Sequence, residues 1–333
     1  MNNFTIEKIP KGFEGELESP KFNLLKNNDI HHIEENSPCV WVFGDACKDE
    51  WIYGSANRLN PESPCAILDL HQNNKSIISH GMSVNVFENI LSLTKSYQIN
   101  SEVIHRRNIL FPYNVFLFSN FPEILTKTRY IDKKSGQTLL RVDKGSKIED
   151  TTISNSKWFS YLEETSPLTN KIPQIIVISD YNKGFIDNDF LLEIFEFAYQ
   201  NNILLLIDTK KNTWDNSSYK NLIIKVNRDE YNKIDSYNRR CTQNIIVTDG
   251  GDGCTLYQHG KEIARFPSHN VKVHNACGAG DTFLAAMVVA LIENDCKFEP
   301  EKILTFANKA AGIAVTYPDV VAVKREELEE FRG

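Results

Sequence analysis

Two hydrophobic patterns alternate along most of the chain. Short, nearly continuous apolar runs at Cys39–Phe43, Ile175–Ile178, Ile203–Ile207, Leu222–Val226 and Asn244–Val247 predict strands buried on both faces. Between and after them, apolar positions recur every three or four residues, as in Asn188–Gln200, where Leu191, Leu192, Ile194, Phe195 and Ala198 share one side. The same period predicts helices over about 84–97, from about Gly280 through Phe283–Ile292, over about 301–315 and over 325–331. Such alternation predicts an α/β chain with a mainly parallel sheet flanked by helices. Ligands of these folds sit at the carboxyl ends of the strands. Two stretches depart from the pattern, at about 51–79 and 124–142. They hold short β-like runs (Ala66–Leu70, Ser76–Ile78, Ile124–Ile131, Gln137–Val142) broken by Asn, Pro and Gly, which predicts a small β-flap. Residues 1–36 are polar and weakly periodic, an expected extension or docking arm, with His31-His32 a solvated pair.

Composition narrows the function classes. With 333 residues, 41% hydrophobic and 24% charged, the chain can bury a substantial core in one large domain or two modest ones. A net charge of -7 gives no basic footprint for nucleic acid or an anionic membrane. No apolar run approaches the roughly 18 residues of a membrane span, and the first twenty residues do not resemble a signal segment, so a cytoplasmic protein is expected. The 7 cysteines are scattered without C-x-x-C spacing, which indicates neither a disulfide framework nor a zinc site.

The strand ends carry the candidate chemistry. The first predicted strand runs into Asp45 and Asp49, and later ones into Asp180-Tyr181-Asn182-Lys183-Gly184, Asp208 and Lys210, Asn227 to Glu230, and Thr248 to Gly253. Asp45 and Asp49 are candidate ligand groups or turn-forming residues. The stretch Asn275–Thr282 puts two glycines ahead of an apolar helix, whose free first-turn N–H groups make an anion seat. Asp281 at its rim suits a general base for a hydroxyl attacking phosphate; it equally suits an ordinary helix start, where the macrodipole favours Asp. Gly81 and Asn85 could present N–H groups and an amide to a polyol, with N-capping by Ser83 as the alternative.

Gly278-Ala279-Gly280-Asp281-Thr282, Asn227-x-x-Glu230, Thr248-x-Gly250-x-x-Gly253 and Gly81…Asn85 occur in an order that resembles the ribokinase/PfkB superfamily of sugar kinases. The resemblance spans roughly residues 38–331. Gly44-Asp45-(x)3-Asp49-Glu50-Trp51, Arg58–Pro64, Arg141-Val142-Asp143, Ser179–Gly184 and Phe306–Gly312 are most similar to the kinase domain of bacterial heptose 7-phosphate kinases of ADP-heptose synthesis. The resemblance implies a ribokinase-like three-layer sandwich over residues 37–333, with the flap segments as a lid. It implies ATP and Mg²⁺ as cofactors and a small sugar phosphate as substrate. Asp281 would be the base, with Gly278 opening the catalytic turn and the N–H groups of Ala279, Gly280 and Asp281 holding the phosphoryl oxygens. Asn227 and Glu230 would organise the metal, Thr248, Gly250, Gly253 and Asn308 the nucleotide. Asp49, Gly81, Asn85, Arg141, Asp180 and Lys183 would meet the sugar phosphate. Because flap edges in relatives are often covered by a second copy, a homodimer is expected.

This sequence departs from the family pattern at named positions. Met82 follows Gly81 where two glycines are usual, and Tyr317–Val323 replaces a small-residue loop near the adenine site. Asn275 and Cys277 stand where Asp and Thr are usual, near where relatives hold a monovalent cation, which leaves dependence on K⁺ open. No His-x-Gly-His nucleotidyltransferase signature occurs, so the kinase step alone is expected.

Overall fold

The computed structural model describes residues 23–26, 38–70, 76–94, 97–98, 109–110, 114–119, 125–145, 172–214 and 219–331. Among them sixteen strands form three sheets. They are β1 (Asn23–Lys26), β2 (Cys39–Gly44), β3 (Ala46–Leu59), β4 (Ala66–Asp69), β5 (Ile77–Met82), β6 (Tyr97–Gln98), β7 (Ile109–Leu110), β8 (Asn114–Ser119), β9 (Thr126–Asp132), β10 (Thr138–Lys144), β11 (Ile175–Asp180), β12 (Leu204–Thr209), β13 (Leu222–Asn227), β14 (Asn244–Thr248), β15 (Cys254–Gln258) and β16 (Lys261–Phe266). The helices are α1 (Ser83–Leu93), α2 (Asn188–Gln200), α3 (Arg228–Lys233), α4 (Ser236–Cys241), α5 (Ala279–Ile292), α6 (Pro300–Ala314) and α7 (Arg325–Glu330).

The main sheet has the order β1-β8-β2-β11-β12-β13-β14-β15-β16. Its six middle strands, β8 to β14, run parallel, and antiparallel strands close both edges. The parallel strands are apolar throughout because helices cover both faces, and their alternation decides which helix each side chain meets. Val42, Val177, Leu206, Ile223 and Ile246 share a core with α1, α5 and α6; Phe43, Ile178, Ile207 and Ile224 share the opposite core with α2. Helix α5 is apolar around its circumference and lies between α1 and α6, as expected of a helix with no solvent face.

The predicted flap is a second sheet, ordered β10-β9-β3-β4 with β5 on β3. Strand β3 leaves the main sheet straight after Gly44 and β5 returns into α1, so the flap stands over the carboxyl edge as a lid.

Several boundaries move for local reasons. Helix α1 stops at Leu93 rather than near residue 97: Thr94 turns to extended backbone while its hydroxyl donates to the Ile90 carbonyl, 2.5 Å. Strand β8, between β1 and β2, was not expected; its run Asn114–Ser119 is apolar but flanked by Asn and Pro. Helices α3 and α4 follow β13 in place of a plain connection, each capped by Asn227 or Asp235. Of residues 1–36, only 23–26 fall inside the described residues; the His31-His32 pair lies outside them.

Candidate active site

The site is built outward from the start of α5. Gly278 is its N-cap in a left-handed conformation, φ 81°. A β-carbon there would come within 2.9 Å of the Asn85 amide nitrogen, and one on Gly280 within 2.9 Å of Lys225 Nζ. Gly278 is therefore required by its conformation, while at Gly280 a β-carbon would displace the end of the Lys225 side chain. Ala279, Gly280 and Asp281 occupy the first turn, where helix geometry leaves N–H groups without intrahelical acceptors.

Asp281 is buried and held at both oxygens. The Tyr181 hydroxyl donates to Oδ1 at 2.7 Å and the Asn85 amide to Oδ2 at 3.2 Å. Burial pushes its carboxyl up to about 6; the bonds from Tyr181 and Asn85 and the Lys225 charge pull it down, while Asp208 adds to the rise. A carboxyl tuned this way is ionised at neutral pH yet basic enough to accept a proton. The Tyr181 phenol is held well above its ordinary range by burial and then by the Asp281 and Asp208 charges, so it remains a donor.

Tyr181 is aimed by the loop after β11. The Asp45 carboxylate accepts from the N–H groups of Tyr181 (2.8 Å), Lys183 (3.1 Å) and Phe185 (3.1 Å). Asp45 is thus a loop brace and not the ligand group expected: it is enclosed, with both oxygens spent on backbone. Burial and the neighbouring Asp180 raise it to about 6 against those three bonds. Asp180, expected on the substrate, likewise does not join the cluster. It lies on the α2 side of β11 and accepts from the Asn182 N–H, the Thr209 hydroxyl and Lys211 Nζ at 2.8, 3.0 and 3.4 Å. The Lys183 backbone belongs to the same braced loop.

On the lid side, Asp49 pairs with Arg129 at 2.6 Å. Gly81 is cut to fit that carboxylate, since a β-carbon would stand 2.2 Å from Asp49 Oδ2. Asn85 bridges the two halves: it donates to Asp281 and, at 3.4 Å, to the Gly278 carbonyl, and accepts from Asn89 at 2.9 Å. Met82, next to Gly81, is the N-cap of α1 with φ 62° and ψ -134°, an uncommon conformation for a residue with a side chain. Such strain costs on the order of 1–3 kcal/mol. Its side chain is buried in the α2-side core, which offsets a similar amount, roughly 1.5–3 kcal/mol.

Arg141 lies directly across from Arg129 in the β9–β10 register, and Lys127 lies two residues before Arg129 on the same face. Arg129 stacks over Trp51, with 5.1 Å to the ring centroid, and Lys127 Nζ stands 5.6 Å from the Tyr181 ring. Three cations therefore share the lid face that carries Asp49. Arg141 is half exposed and ion-paired with Asp143 at 2.7 Å.

At the other end, Asn227 and Glu230 form a reciprocal capping box on α3, and Glu230 also pairs with Lys210. No cluster of three or more His, Cys, Asp or Glu set for a metal occurs among the described residues. Because Oε2 of Glu230 accepts from the Asn227 N–H and Oε1 faces Lys210, Glu230 would meet Mg²⁺ through the waters the ion keeps, the rest of its shell coming from phosphate oxygens. Gly250 and Gly253 have φ 57° and 90° in the turn after β14, and a β-carbon on Gly253 would strike the Phe266 carbonyl at 2.1 Å. The Thr248 hydroxyl donates to the Val226 carbonyl at 3.3 Å. Asn308 donates to the carbonyls of Phe266 (3.0 Å) and Pro267 (3.3 Å), so it holds the wall of this region. Beside that turn, Arg228, Asp249, Asp252, Thr255, Tyr257 and Arg265 line a pocket of about 570 Å³.

Residues 219–326 match the pfkB family of carbohydrate kinases. The match lies in the carboxyl-terminal part of the chain. This pfkB stretch contains the capping box, the glycine turn, the α5 seat and Asn308. The chain is 25% identical over 322 residues to the bifunctional protein HldE of Nitratiruptor sp., covering 88% of this chain and 65% of that protein. It is 28% identical over 319 residues to HldE of Helicobacter pylori strain P12, with 87% and 65% covered. It thus spans somewhat less than two thirds of the length of these relatives. In fold it is similar to phosphofructokinase-2 from Escherichia coli (TM-score 0.59, 15% identity, 88% of this chain and 97% of that one). It is also similar to ribokinase from Thermotoga maritima (TM-score 0.55, 18% identity, 88% and 98%). The chain therefore has the ribokinase-like fold.

Tyr181, Lys127 and Arg129 escaped the sequence reading as site groups. The signal for the last two was the alternation Thr126-Lys127-Thr128-Arg129, which puts both cations on one strand face. No helix of the described residues is long and apolar enough to cross a membrane.

Proposed function

We propose that the chain is an ATP- and Mg²⁺-dependent kinase that phosphorylates the anomeric hydroxyl of a heptose 7-phosphate, giving the 1,7-bisphosphate. The observation that carries the phosphorylated-substrate reading is the row Lys127, Arg129 and Arg141 on the lid face beside Asp49. A free sugar offers three clustered cations only neutral hydroxyl acceptors, whereas a phosphate monoester brings the charge that pairs with them. The motif resemblance to heptose 7-phosphate kinases supports the same choice.

In this reading the sugar lies between Asp49, Gly81 and Asn85 and the rim of α5, its distal phosphate under the lid cations. Asp281 takes the proton of the attacking hydroxyl while Tyr181 and Asn85 hold its carboxylate in line. The first-turn N–H groups of α5 receive the equatorial oxygens of the transferring phosphoryl group, whose loose transition state calls for charge stabilisation. Mg²⁺, organised through Glu230 and Asn227, supplies charge neutralisation on the phosphate chain. Gly250 leaves open space for the nucleotide while Gly253 lets the Phe266 backbone close the turn behind it, and Arg141 and Lys183 contribute to phosphate recognition.

The test is ADP release across matched free and phosphorylated sugars. Heptose 7-phosphate is expected to give the highest kcat/KM, and Arg129→Met to raise its KM about tenfold or more, the weight of one charge-assisted bond. Equal turnover of free sugars, with KM insensitive to Arg129, would instead identify a kinase of an unphosphorylated sugar.

A further inference from the structure

Lys225 interrupts the apolar run Leu222–Asn227 of β13 with a charge that is nevertheless buried. A lysine inside a parallel sheet is costly unless it is paired and used. Its partner is Asp208, Nζ to Oδ2 2.6 Å. Strand register explains the pair: Ser179, Asp208 and Lys225 are lateral neighbours on β11, β12 and β13. The same register puts Val177, Leu206 and Ile223 one step deeper, in the core beneath α5. The polar row therefore faces α5 at the level of its amino end.

Two observations tie the row to the seat. Lys225 Nζ is 2.9 Å from where a Gly280 β-carbon would stand, so the ammonium occupies the space that the second glycine leaves free. The row also holds spare polar capacity: the hydroxyls of Ser179 and, in the first turn of α5, Thr282 are fully buried and have no hydrogen-bond partner. Although burial works against its charge, Asp208, Asp281 and Glu230 keep Lys225 above the ordinary lysine value.

We propose that Lys225 is a catalytic cation of the phosphoryl-transfer centre, its ammonium acting with the α5 N–H groups on the oxygens of the transferring group. The inference rests on the kinase reading above. In the step itself the sugar hydroxyl oxygen forms a bond to the γ-phosphorus. The bond from that phosphorus to the bridging oxygen breaks, its electron pair leaves with ADP, and the hydroxyl proton passes to Asp281. Lys225 keeps its proton throughout. Asp208 is a positioning residue, holding the ammonium against Gly280.

Two variants separate catalysis from fold support. Lys225→Met leaves Asp208 buried and unpaired; Lys225→Met with Asp208→Asn removes both charges and restores a neutral interior, with thermal unfolding reporting that it is folded. In both, kcat is expected to fall about 10²- to 10³-fold, the cost of losing one preorganised group on developing charge. KM for ATP should stay within about threefold, because a group used in the transition state moves kcat. A folded double variant with kcat within about threefold of wild type would overturn the proposal. If the wild type itself releases no ADP with any sugar, the kinase reading falls, and calorimetry with Mg·ADP and tetrafluoroaluminate still decides Lys225. The wild type should then prefer the fluoride complex over ADP alone by at least about 10²-fold, as transition-state mimics do. Loss of that preference in the double variant supports the role, and an unchanged preference overturns it.

Discussion

Asp281 is placed where reactivity and stability pull apart. Its carboxyl sits at about 6 in the fold against 3.8 ordinarily, because burial disfavours the charge more than Tyr181, Asn85 and Lys225 restore it. Between those values the folded chain binds more protons than the unfolded one, so this residue's contribution to stability declines as pH rises from about 4 to 6 and is level above. Activity moves the other way: kcat/KM is expected to climb up to about pH 6 and then plateau. Asp281→Asn keeps the shape and removes the buried charge. It should gain on the order of 1–3 kcal/mol in denaturant unfolding at pH 7.5. The same change should lose about 10²–10⁴ in kcat. A variant that turns over normally would dismiss Asp281 as the base. At this scale the sequence was most legible where a residue type has few uses, as with Gly278, Gly280 and Asp281. It was least legible where one type has several: Asp45, Asp49 and Asp180 all come after apolar runs, and only the fold separates the two that brace loops from the one that faces Arg129.

Among the elements, the parallel strands and α2 could be read directly, since an apolar run and a 3.6-residue period leave little choice once both faces are covered. The lid was harder, because its strands are half exposed and take their meaning from register. Arg129 and Arg141 become neighbours only when the turn at 133–136 sets the pairing of β9 with β10. Gly81 shows how tightly β5 and β3 are matched. Gly81→Ala would drive a methyl into Asp49 Oδ2, turning that carboxylate away from Arg129. The expected result is a rise of about tenfold or more in KM for the sugar, with KM for ATP unchanged; displacing one charge-assisted bond is enough to produce it. A variant with an unaltered sugar KM would remove Asp49 from the substrate side.

For the whole molecule, the lid's outer strand is the exposed boundary. Strand β10 is exposed along its length and shows Leu139, Leu140 and Val142 to solvent, and Ile77 and Ile78 of β5 are exposed as well. An apolar edge of this kind is normally covered. A homodimer joined through the lids is therefore expected by light scattering at micromolar concentration, and Leu140→Lys with Val142→Lys should shift it to monomer; a wild type that is monomeric throughout would rule this out. The Asp45 brace has a different reach. Its three backbone bonds fix the loop that carries Tyr181, and Tyr181 carries the base. In a random-mutagenesis screen for loss of function, changes at Asp45 should be recovered alongside those at Asp281, although Asp45 contacts no substrate. A map of intolerant positions would thus outline the support of the catalytic loop as sharply as the catalytic groups, and would overstate the size of the binding surface.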